Sequence, residues 1–435
     1  MGANMGKDRD KSWEVATLDE HEACINVLSV SEDGSMVITG SDDCTARLWC
    51  TTTDKQIGVL EKGQKRSNQP PEAASGHLEP ISAIGQVRDF VITGSYDHTI
   101  RKWDMVSCKC LNVYTGHTDR VLKLLVSDKY IFSASTDKTC KLWRLEEEDE
   151  DEDIEICLRT FEGHTAPVRS ICYIQGDEQE DAKKKKTRIN EDGEEEEEEE
   201  DEDEEEEPEC EDGINRLDMV ITGSFDGTAR CWSMERGKQI KIFKANRGPI
   251  SCMTIDDEGK LLYTAHSDTI CEWDIEKGVR TSTKLMRGHT KDITCMQLVN
   301  KLLYTGSVDA DAKCFVTEFG DCTRTYTGQT NTISCLKFHQ GILFTCSSDG
   351  DARAYDAKSG KQKRVYSGHQ RGITCMCVVD KKLYTGADDG QLRVWDADVP
   401  LDIASMAEME NERAAEEAAG AVRAPSAAAA QMAAA

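Results

Sequence analysis

Short apolar runs recur along the chain with turn residues between them, and one unit shows the pattern well. Val121, Leu122, Leu124 and Val126 form a largely alternating apolar run, as in a half-buried strand, and a second apolar run follows at residues 130–133. A turn with Asp comes next, then a run that ends at an aromatic residue. A fourth run, such as "CLNVY", completes the unit. This pattern predicts four β-strands per unit, joined by turns.

The unit is repeated eight times along the chain. Its third run has forms such as "GSYDHTIRKWD" and "GADDGQLRVWD", and the aromatic residue in it returns about every forty residues, with two longer intervals. The aromatic positions are Trp49, Trp103, Trp143, Trp232, Trp273, Phe315, Tyr355 and Trp395. Each unit also opens with a Gly-His pair or a relic of one. The opening positions are His21, His77, His117, His164, Asn246, His289, Gln329 and His369.

Repeats with this spacing, this opening and this ending resemble the WD-repeat family. The resemblance covers roughly residues 12–396, and eight units match it in both spacing and residue type. It implies an all-β protein in which each repeat of about forty residues makes a four-stranded β-propeller blade. In this family the sequence repeat is out of step with the blade, so the N-terminus usually supplies the outer strand of the last blade.

The sequence offers eight outer strands for eight inner triplets. Leu18 lies three residues before His21, as the outer-strand apolar residue does in other units. After Trp395 the chain runs "DADVPLD", in which Pro400 argues against another strand. We therefore predict a closed eight-bladed ring in which the N-terminal strand completes the last blade. Closure of the ring removes the exposed sheet edges that an open array of repeats would have. A seven-bladed ring with a spare repeat is the alternative.

The resemblance also implies a hydrogen-bonded network of His, Thr or Ser, Asp and Trp within each blade. The complete sets are His21, Thr39, Asp43 and Trp49; His77, Thr93, Asp97 and Trp103; His117, Ser133, Asp137 and Trp143; His164, Thr222, Asp226 and Trp232; and His369, Thr385, Asp389 and Trp395. Such groupings are similar to catalytic triads, but a nucleophile and its base are needed only once. We interpret the recurring sets as structural and predict no catalytic residue and no enzyme.

Units five to seven depart from the pattern. Asn246 stands in the histidine position of unit five, whose turn "HSDTICEW" is one residue short. Gln329 replaces the histidine of unit seven, and Phe315 and Tyr355 replace tryptophan. Tolerated drift and a surface specialised for a partner both explain these changes.

Cysteine and glycine patterns predict no metal and no cofactor. Nineteen cysteines is an odd number, and the N-terminus lacks a secretory signal, which favours free thiols in a reducing compartment. Cys252, Cys295, Cys335 and Cys375 share one inner-strand position, where a small apolar side chain would pack. No Cys or His spacing suits zinc, no glycine-rich phosphate loop precedes a helix, and no apolar window is long enough to span a membrane.

The formal net charge of −29 comes almost wholly from two acidic runs. Residues 146–155 carry nine carboxylates and residues 177–213 carry twenty-three, so the rest of the chain is close to neutral. Neither run has enough apolar residues to fold, and we predict that both are disordered loops. The strand order places both at the bottom face of the propeller, on neighbouring blades. They suggest an alternative function, the salt-dependent binding of basic proteins such as histones.

Three regions follow from these patterns. We predict a flexible N-terminus at 1–11, the propeller at 12–396, and a low-complexity, Ala-rich and partly helical tail at 397–435. The run "KKKKTR" at 183–188 resembles a nuclear import signal. We therefore expect a cytoplasmic protein, with nuclear entry left open.

The predicted function is a non-enzymatic scaffold for protein–protein interactions. We expect partners at the top face, defined here as the face that carries the His and Asp turns. Its candidates are the residue before each turn Asp and two arginines where inner strands begin. These candidate partner-binding residues are Asp42, Tyr96, Arg120, Thr136, Phe225, Ser267, Val308, Ser348, Arg371 and Asp388. We expect partners to be other proteins, with no direct binding of nucleic acid or membrane.

Overall fold

The computed structural model describes residues 13–64, 74–145, 156–176, 214–281 and 285–401. The strands of these segments form eight antiparallel sheets, arranged as the blades of a propeller with the first strand of each blade innermost. No α-helix occurs within the described segments. The predicted all-β, eight-bladed propeller is confirmed.

Blades 1 to 4 follow the chain in order. Blade 1 contains β2 (Ile25–Val30), β3 (Met36–Ser41), β4 (Ala46–Cys50) and β5 (Lys55–Leu60). Blade 2 contains β6 (Ile81–Val87), β7 (Phe90–Ser95), β8 (Ile100–Asp104) and β9 (Cys110–Tyr114). Blade 3 contains β10 (Val121–Val126), β11 (Tyr130–Ser135), β12 (Cys140–Arg144) and β13 (Cys157–Phe161). Blade 4 contains β14 (Val168–Ile174), β15 (Met219–Ser224), β16 (Thr228–Ser233) and β17 (Gln239–Lys244).

Blades 5 to 8 complete the ring, and blade 5 has a divided outer strand. Blade 5 contains β18 (Ile250–Ile255), β19 (Leu261–His266), β20 (Thr269–Asp274) and the short outer strands β21 (Val279–Arg280) and β22 (Met286–Arg287). Blade 6 contains β23 (Ile293–Val299), β24 (Leu302–Ser307), β25 (Ala312–Val316) and β26 (Asp321–Tyr326). Blade 7 contains β27 (Ile333–His339), β28 (Ile342–Ser347), β29 (Asp351–Asp356) and β30 (Gln362–Ser367). Blade 8 contains β31 (Ile373–Val379), β32 (Lys382–Ala387), β33 (Leu392–Asp396) and β1 (Glu14–Leu18).

The N-terminal strand closes the ring as predicted. β1 pairs antiparallel with β33, and Leu18 lies opposite Leu392. The backbone N–H of Asp396 donates to the carbonyl oxygen of Trp13 at 2.8 Å. The guanidinium carbon of Arg364 lies 3.7 Å from the centre of the Trp13 ring. Because all eight repeats form blades and both ends of the propeller share the sheet of the eighth, the seven-bladed alternative is wrong.

The hydrophobic core is divided among the interfaces between neighbouring blades. At the first of them, Ile38 and Leu48 of blade 1 pack against Ile84 and Val91 of blade 2. Each blade therefore buries both faces of its sheet and depends on its two neighbours for stability, since apolar burial is the main favourable contribution to folding.

A recurring side-chain hydrogen bond joins neighbouring inner strands. The second residue of the inner strand donates to the carbonyl oxygen of the first inner-strand residue of the next blade. The donor and acceptor residues are Asn26 and Ile81, Ser82 and Val121, Thr294 and Ile333, Ser334 and Ile373, and Thr374 and Ile25. The last of these bonds joins blade 8 to blade 1. In blades 3 and 4 the same position holds Leu122 and Arg169, so the interfaces around blade 4 are built differently.

Both acidic runs lie outside the described residues, as does the import-like segment. The strands that flank the shorter run are β12 and β13 of blade 3, and those that flank the longer run are β14 and β15 of blade 4. Ala397 and Val399, which fall within the predicted tail at 397–435, are buried against the last blades. The predicted division into three regions stays a prediction.

Candidate interaction site on the top face

The turns of the top face are anchored by the His, Thr, Asp and Trp side chains, as blade 1 shows. His21 Nδ1 lies 2.7 Å from Asp43 Oδ2, and His21 Nε2 lies 2.7 Å from Thr39 Oγ1. The indole N–H of Trp49 donates to Thr39 Oγ1 at 2.9 Å. An indole can only donate, so the threonine hydroxyl accepts this bond and donates its own proton to Nε2. The imidazole proton therefore lies on Nδ1, facing the carboxylate.

The structure brings together every member of the five predicted sets in this way. His–Asp distances range from 2.6 Å for His117 and Asp137 to 3.1 Å for His369 and Asp389. The remaining His–hydroxyl and Trp–hydroxyl distances are 2.7 or 2.8 Å. The imidazole side chains are at most 1% exposed. Since no substrate can reach a side chain buried to this degree, their geometry supports the structural interpretation.

Negative charge in these sets resides on the aspartates. Burial opposes ionisation of Asp97, but hydrogen bonds from His77 and Thr99 outweigh it and hold the pKa of the carboxyl well below its usual range. The pKa of Asp226 is lowered to about 2 by hydrogen bonds, again against the effect of burial. Burial lowers the pKa of the His77 and His117 imidazoles. Burial likewise lowers the pKa of His164, so at neutral pH the sets of blades 2 to 4 pair a carboxylate with a neutral imidazole.

Blade 6 keeps most of the network although its sequence set is incomplete. His289 lies 2.9 Å from Asp309 and 2.8 Å from Thr305, as in the complete blades. Phe315 occupies the tryptophan position, with its ring centre 6.3 Å from that of His289. A phenyl ring has no N–H group, so this replacement leaves no buried donor without an acceptor.

The assignment of Asn246 to the histidine position of blade 5 is wrong. Asn246 is exposed and has a positive φ of 54°. His266, which sequence reasoning left unassigned, takes the position from the end of β19. Its Nε2 lies 2.9 Å from Thr264 Oγ1, which also accepts the indole N–H of Trp273 at 2.8 Å. The sequence signal was the ending "TAH" of this strand, where other units have endings such as "TGS".

Blade 7 replaces the imidazole with an amide and a guanidinium. Gln329 Nε2 donates to Thr345 Oγ1 at 2.8 Å. Arg353 donates to Gln329 Oε1 and, at 3.1 Å, to Asp349 Oδ2. The Arg353 residue is 7% exposed. The turn aspartate therefore keeps a buried partner, although that partner now carries a full positive charge.

Above these anchors, eight of the ten candidate partner-binding residues take part in one kind of backbone hydrogen bond, seven as donors and one as an acceptor. The residue before the turn Asp donates its backbone N–H to a carbonyl oxygen at the inner-strand entrance of the same blade, at 2.9 or 3.0 Å. The donors are Asp42, Tyr96, Thr136, Phe225, Val308, Ser348 and Asp388. The acceptor for Thr136 is Arg120, a further candidate. Ser267 differs because it lies in the shortened turn and its carbonyl oxygen accepts from Ile293 N at 2.7 Å.

Some of the candidate side chains contact one another or a neighbouring residue. The guanidinium carbon of Arg120 lies 4.7 Å from the centre of the Tyr96 ring. Asp388 Oδ1 accepts from the thiol of Cys24 at 3.0 Å, and Asp42 Oδ1 accepts from Asn26 Nδ2 at 2.7 Å. Within the described part of the chain, no hydrogen bond or ion pair joins the side chains of the remaining candidates to one another. Those candidates are Thr136, Phe225, Ser267, Val308, Ser348 and Arg371.

Arg169 is a top-face residue that sequence reasoning missed. It is exposed, and its guanidinium carbon lies 5.6 Å from the centre of the Phe225 ring. Its signal in the sequence was a charged residue at the second inner-strand position, where five other blades have the Asn, Ser or Thr that bonds the next blade.

A cavity of about 240 Å³ lies among the inner strands of the ring. Its lining includes Asn26, Ser82, Lys123, Cys335 and Cys375. Among the described residues, no group of three or more His, Cys, Asp or Glu side chains could hold a metal ion. Nor does any helix in those segments have the length and apolar character needed to cross a membrane.

Seven segments of the chain match the family model described as "WD domain, G-beta repeat". They are residues 12–50, 70–104, 108–144, 208–233, 237–274, 320–356 and 360–396, and together they make up more than half of the chain. The chain belongs to the WD-repeat family. One repeat, the sixth along the chain, lies mostly in the unmatched interval at 275–319. It also forms a complete blade, blade 6. WD-repeat propellers typically mediate protein–protein interactions and are generally not enzymes.

Known WD-repeat relatives match only part of this chain. Nuclear distribution protein PAC1 of Arthroderma otae is 32% identical over 162 residues, covering 32% of this chain and 35% of that protein. Mitochondrial division protein 1 of Schizosaccharomyces pombe is 29% identical over 195 residues, covering 37% of this chain and 29% of that protein. The matches span about a third of the length of these two relatives.

Solved structures share the fold along almost the whole propeller. The computationally designed Ika8 protein has a TM-score of 0.64 at 21% identity, covering 88% of this chain and 99% of its own. Sqt1 of Saccharomyces cerevisiae has a TM-score of 0.70 at 14% identity, covering 89% and 99%. Identities this low show a common fold alone.

Proposed function

We propose that this chain is a non-enzymatic scaffold that binds segments of other proteins through the top face of its propeller. The anchoring networks lie below this face and hold each turn in place. The residue before the turn Asp is held by its backbone N–H, so its side chain is not needed for this bond and varies from blade to blade. A rigid frame that presents variable side chains suits recognition of a partner.

The observation that carries the proposal is the pair of aromatic residues Tyr96 and Phe225 in this frame. Phe225 is 39% exposed, and Tyr96 is partly exposed above its turn. Large aromatic side chains gain most from burial, and they dominate the binding energy of protein interfaces. The turns of blades 1 and 8 keep the same backbone bond with Asp42 and Asp388 at this position, so the fold does not require an aromatic residue here.

Affinity purification of the full chain tests this proposal. We expect the double variant Tyr96→Ala and Phe225→Ala to lose partners that the unchanged protein retains, because the aromatic anchors of the interface are removed. Phe319→Ala is the matched control, since Phe319 is 54% exposed in the turn between β25 and β26, at the opposite face. A partner list that is the same for all three proteins would overturn the top-face assignment.

The eighteen described cysteines are all free thiols, which supports the proposed cytoplasmic location. The number of repeats and the segment "ARAYD" are similar to WD repeat-containing protein 86, and we propose that closer relationship. Binding of basic proteins such as histones by the acidic runs stays a prediction, since both runs lie outside the described residues.

A further inference from the structure

The first feature is a cation–π contact between an arginine of blade 3 and an aromatic ring of blade 2. Arg120 directly precedes β10 of blade 3, and its guanidinium lies over the ring of Tyr96 from blade 2. The Arg120 side chain is exposed, and within the described segments it has no ion pair. The carboxylate of the adjacent Asp119 instead accepts the backbone N–H of Arg120 at 2.8 Å.

The second feature repeats this arrangement in blade 4. Arg169 lies over the ring of Phe225 and, like Arg120, has no ion pair among the described residues. Arg169 is the second residue of its inner strand. In blades 2 and 8 this position holds Ser82 and Thr374, whose hydroxyl groups donate to the next blade. At this interface the chain lacks that stabilising bond and presents a guanidinium instead. Stability of the ring does not explain such a residue, which points to a role in binding.

A guanidinium held over an aromatic ring is suited to bind a carboxylate. The ring attracts the cation without accepting its N–H groups in an ion pair, so these donors remain available to a ligand. Two of these donors match the two oxygens of a carboxylate, and such charge-assisted pairs are stronger than neutral hydrogen bonds. The ring beside each guanidinium supplies apolar surface for the stem of the same residue or for its neighbour.

Other charges on the top face also favour binding of an acidic ligand at blades 2 to 4, where the two arginines lie. On blades 1 and 8 the exposed carboxylates of Asp42 and Asp388 lie close to Cys24, whose thiol pKa is raised by burial and by these two groups. A carboxylate ligand is repelled there and attracted toward blades 2 to 4.

We propose that Arg120 with Tyr96, and Arg169 with Phe225, are two carboxylate-binding positions that select an acidic, extended segment of a partner protein. This inference rests on the proposed function and adds the chemistry of the partner. The segment carries Asp or Glu side chains with apolar residues beside them.

Selection from a displayed library of random twelve-residue peptides tests the inference with the full chain as bait. The selection is carried out at about 0.15 M salt, where a Debye length of about 8 Å screens long-range repulsion between the acidic runs and an acidic peptide. We expect enriched peptides with at least two acidic residues at a fixed spacing. Their affinity falls about tenfold or more for each arginine replaced in Arg120→Ala and Arg169→Ala.

Arg247→Ala is the control, because Arg247 is a top-face arginine of blade 5 outside the candidate set and makes no ring contact within the described residues. We expect unchanged affinity for this variant, and thermal unfolding confirms that all variants are folded. Replacing both Arg120 and Arg169 with Glu should select basic peptides instead.

Two results separate the failure of this inference from that of the proposed function. Peptides that depend on Tyr96 and Phe225 but carry no acidic residue would overturn the inference and leave the top-face scaffold standing. Peptides that bind equally well to every arginine and aromatic variant would overturn both, and a selection without enrichment would overturn the inference.

Discussion

Blade 2 and blade 5 build the same kind of sheet around different polar interiors. In blade 2, His77 links the Thr93 hydroxyl to the carboxylate of Asp97. In blade 5 the turn is one residue shorter, and His266 links the Thr264 hydroxyl to a backbone carbonyl oxygen at 3.1 Å. The indole N–H is hydrogen-bonded to the threonine in both blades. The two blades therefore satisfy the same buried donors in two ways.

This difference shows which parts of the network blades 2 and 5 share. In both blades a threonine hydroxyl accepts the indole N–H, and an imidazole is hydrogen-bonded to that hydroxyl. Both groups therefore belong to the buried interior. The carboxylate is present only with the longer turn, where Asp97 also accepts the backbone N–H of Leu78 at 3.0 Å. Asp268 of the short turn is exposed. We infer that the aspartate serves to hold the longer turn against the strand entrance.

The two blades also differ in how they are tied to the ring. Ser82 of blade 2 donates to the carbonyl oxygen of Val121 in blade 3. The equivalent Ser251 of blade 5 donates to Ala265 of its own blade at 3.5 Å, a long bond. The outer strand of blade 2 is continuous in β9, whereas that of blade 5 is divided into β21 and β22. Blade 5 thus lacks the hydroxyl link to the next blade that blade 2 has.

The largest expected effect comes from removing the turn carboxylate. Asp97→Ala should lower the free energy of unfolding by about 3–5 kcal/mol, because His77 Nδ1–H, the backbone N–H groups of Leu78 and Thr99, and the Thr99 hydroxyl lose their acceptor. Asp268→Ala is the control in blade 5 and should change it by less than about 0.5 kcal/mol. Urea denaturation measures both values. Equal losses would contradict the distinction between the two turns.

A smaller effect should follow from removing the hydroxyl that joins blades 2 and 3. Ser82→Ala leaves the buried carbonyl oxygen of Val121 without this donor, so the free energy of unfolding should fall by about 1–2 kcal/mol. Ser251→Ala, the same change in blade 5, should cost less than about 0.5 kcal/mol, since its bond is long and within one blade. The comparison fails if Ser251→Ala destabilises the protein as much as Ser82→Ala does.

The smallest effect concerns pH. Burial lowers the pKa of both His77 and His266 in the folded protein, so the unfolded chain binds a proton first as pH falls below about 6.5. Each imidazole should therefore cost up to about 1.4 kcal/mol of stability per pH unit on acidification. His77→Gln, which introduces the residue type of Gln329 in blade 7, should make the stability less dependent on pH between 6.5 and 5.5.

His266→Gln sharpens this test. We expect it to reduce the pH dependence as much as His77→Gln does, because burial is the largest cause of the lowered pKa in both residues. Urea unfolding midpoints at several pH values provide the measurement. If the carboxylate of Asp97, which raises the pKa of His77, outweighed burial, His77→Gln would enlarge the loss of stability on acidification, and that result would contradict the expectation.

Sequence reasoning predicted the regular blades well because their information is local. Turn chemistry, alternating apolar residues and the spacing of His21, Thr39, Asp43 and Trp49 all lie within one repeat. It failed at Asn246, where the shortened turn moved the imidazole to a position that no other repeat uses. A pattern that aligns repeats by position cannot show that a side chain from another position fills the same space.

The sequence by itself determined the number of blades, the order of their strands, the closure by β1 and the residues of the five complete polar sets. These follow from period and residue type along the chain. Only the tertiary structure decided which side chains meet across blades, such as Arg120 with Tyr96, and that Arg169 lies over Phe225 rather than bonding the next blade. Contacts of this kind depend on the angle and distance between neighbouring sheets, which the closed ring sets and no single repeat encodes.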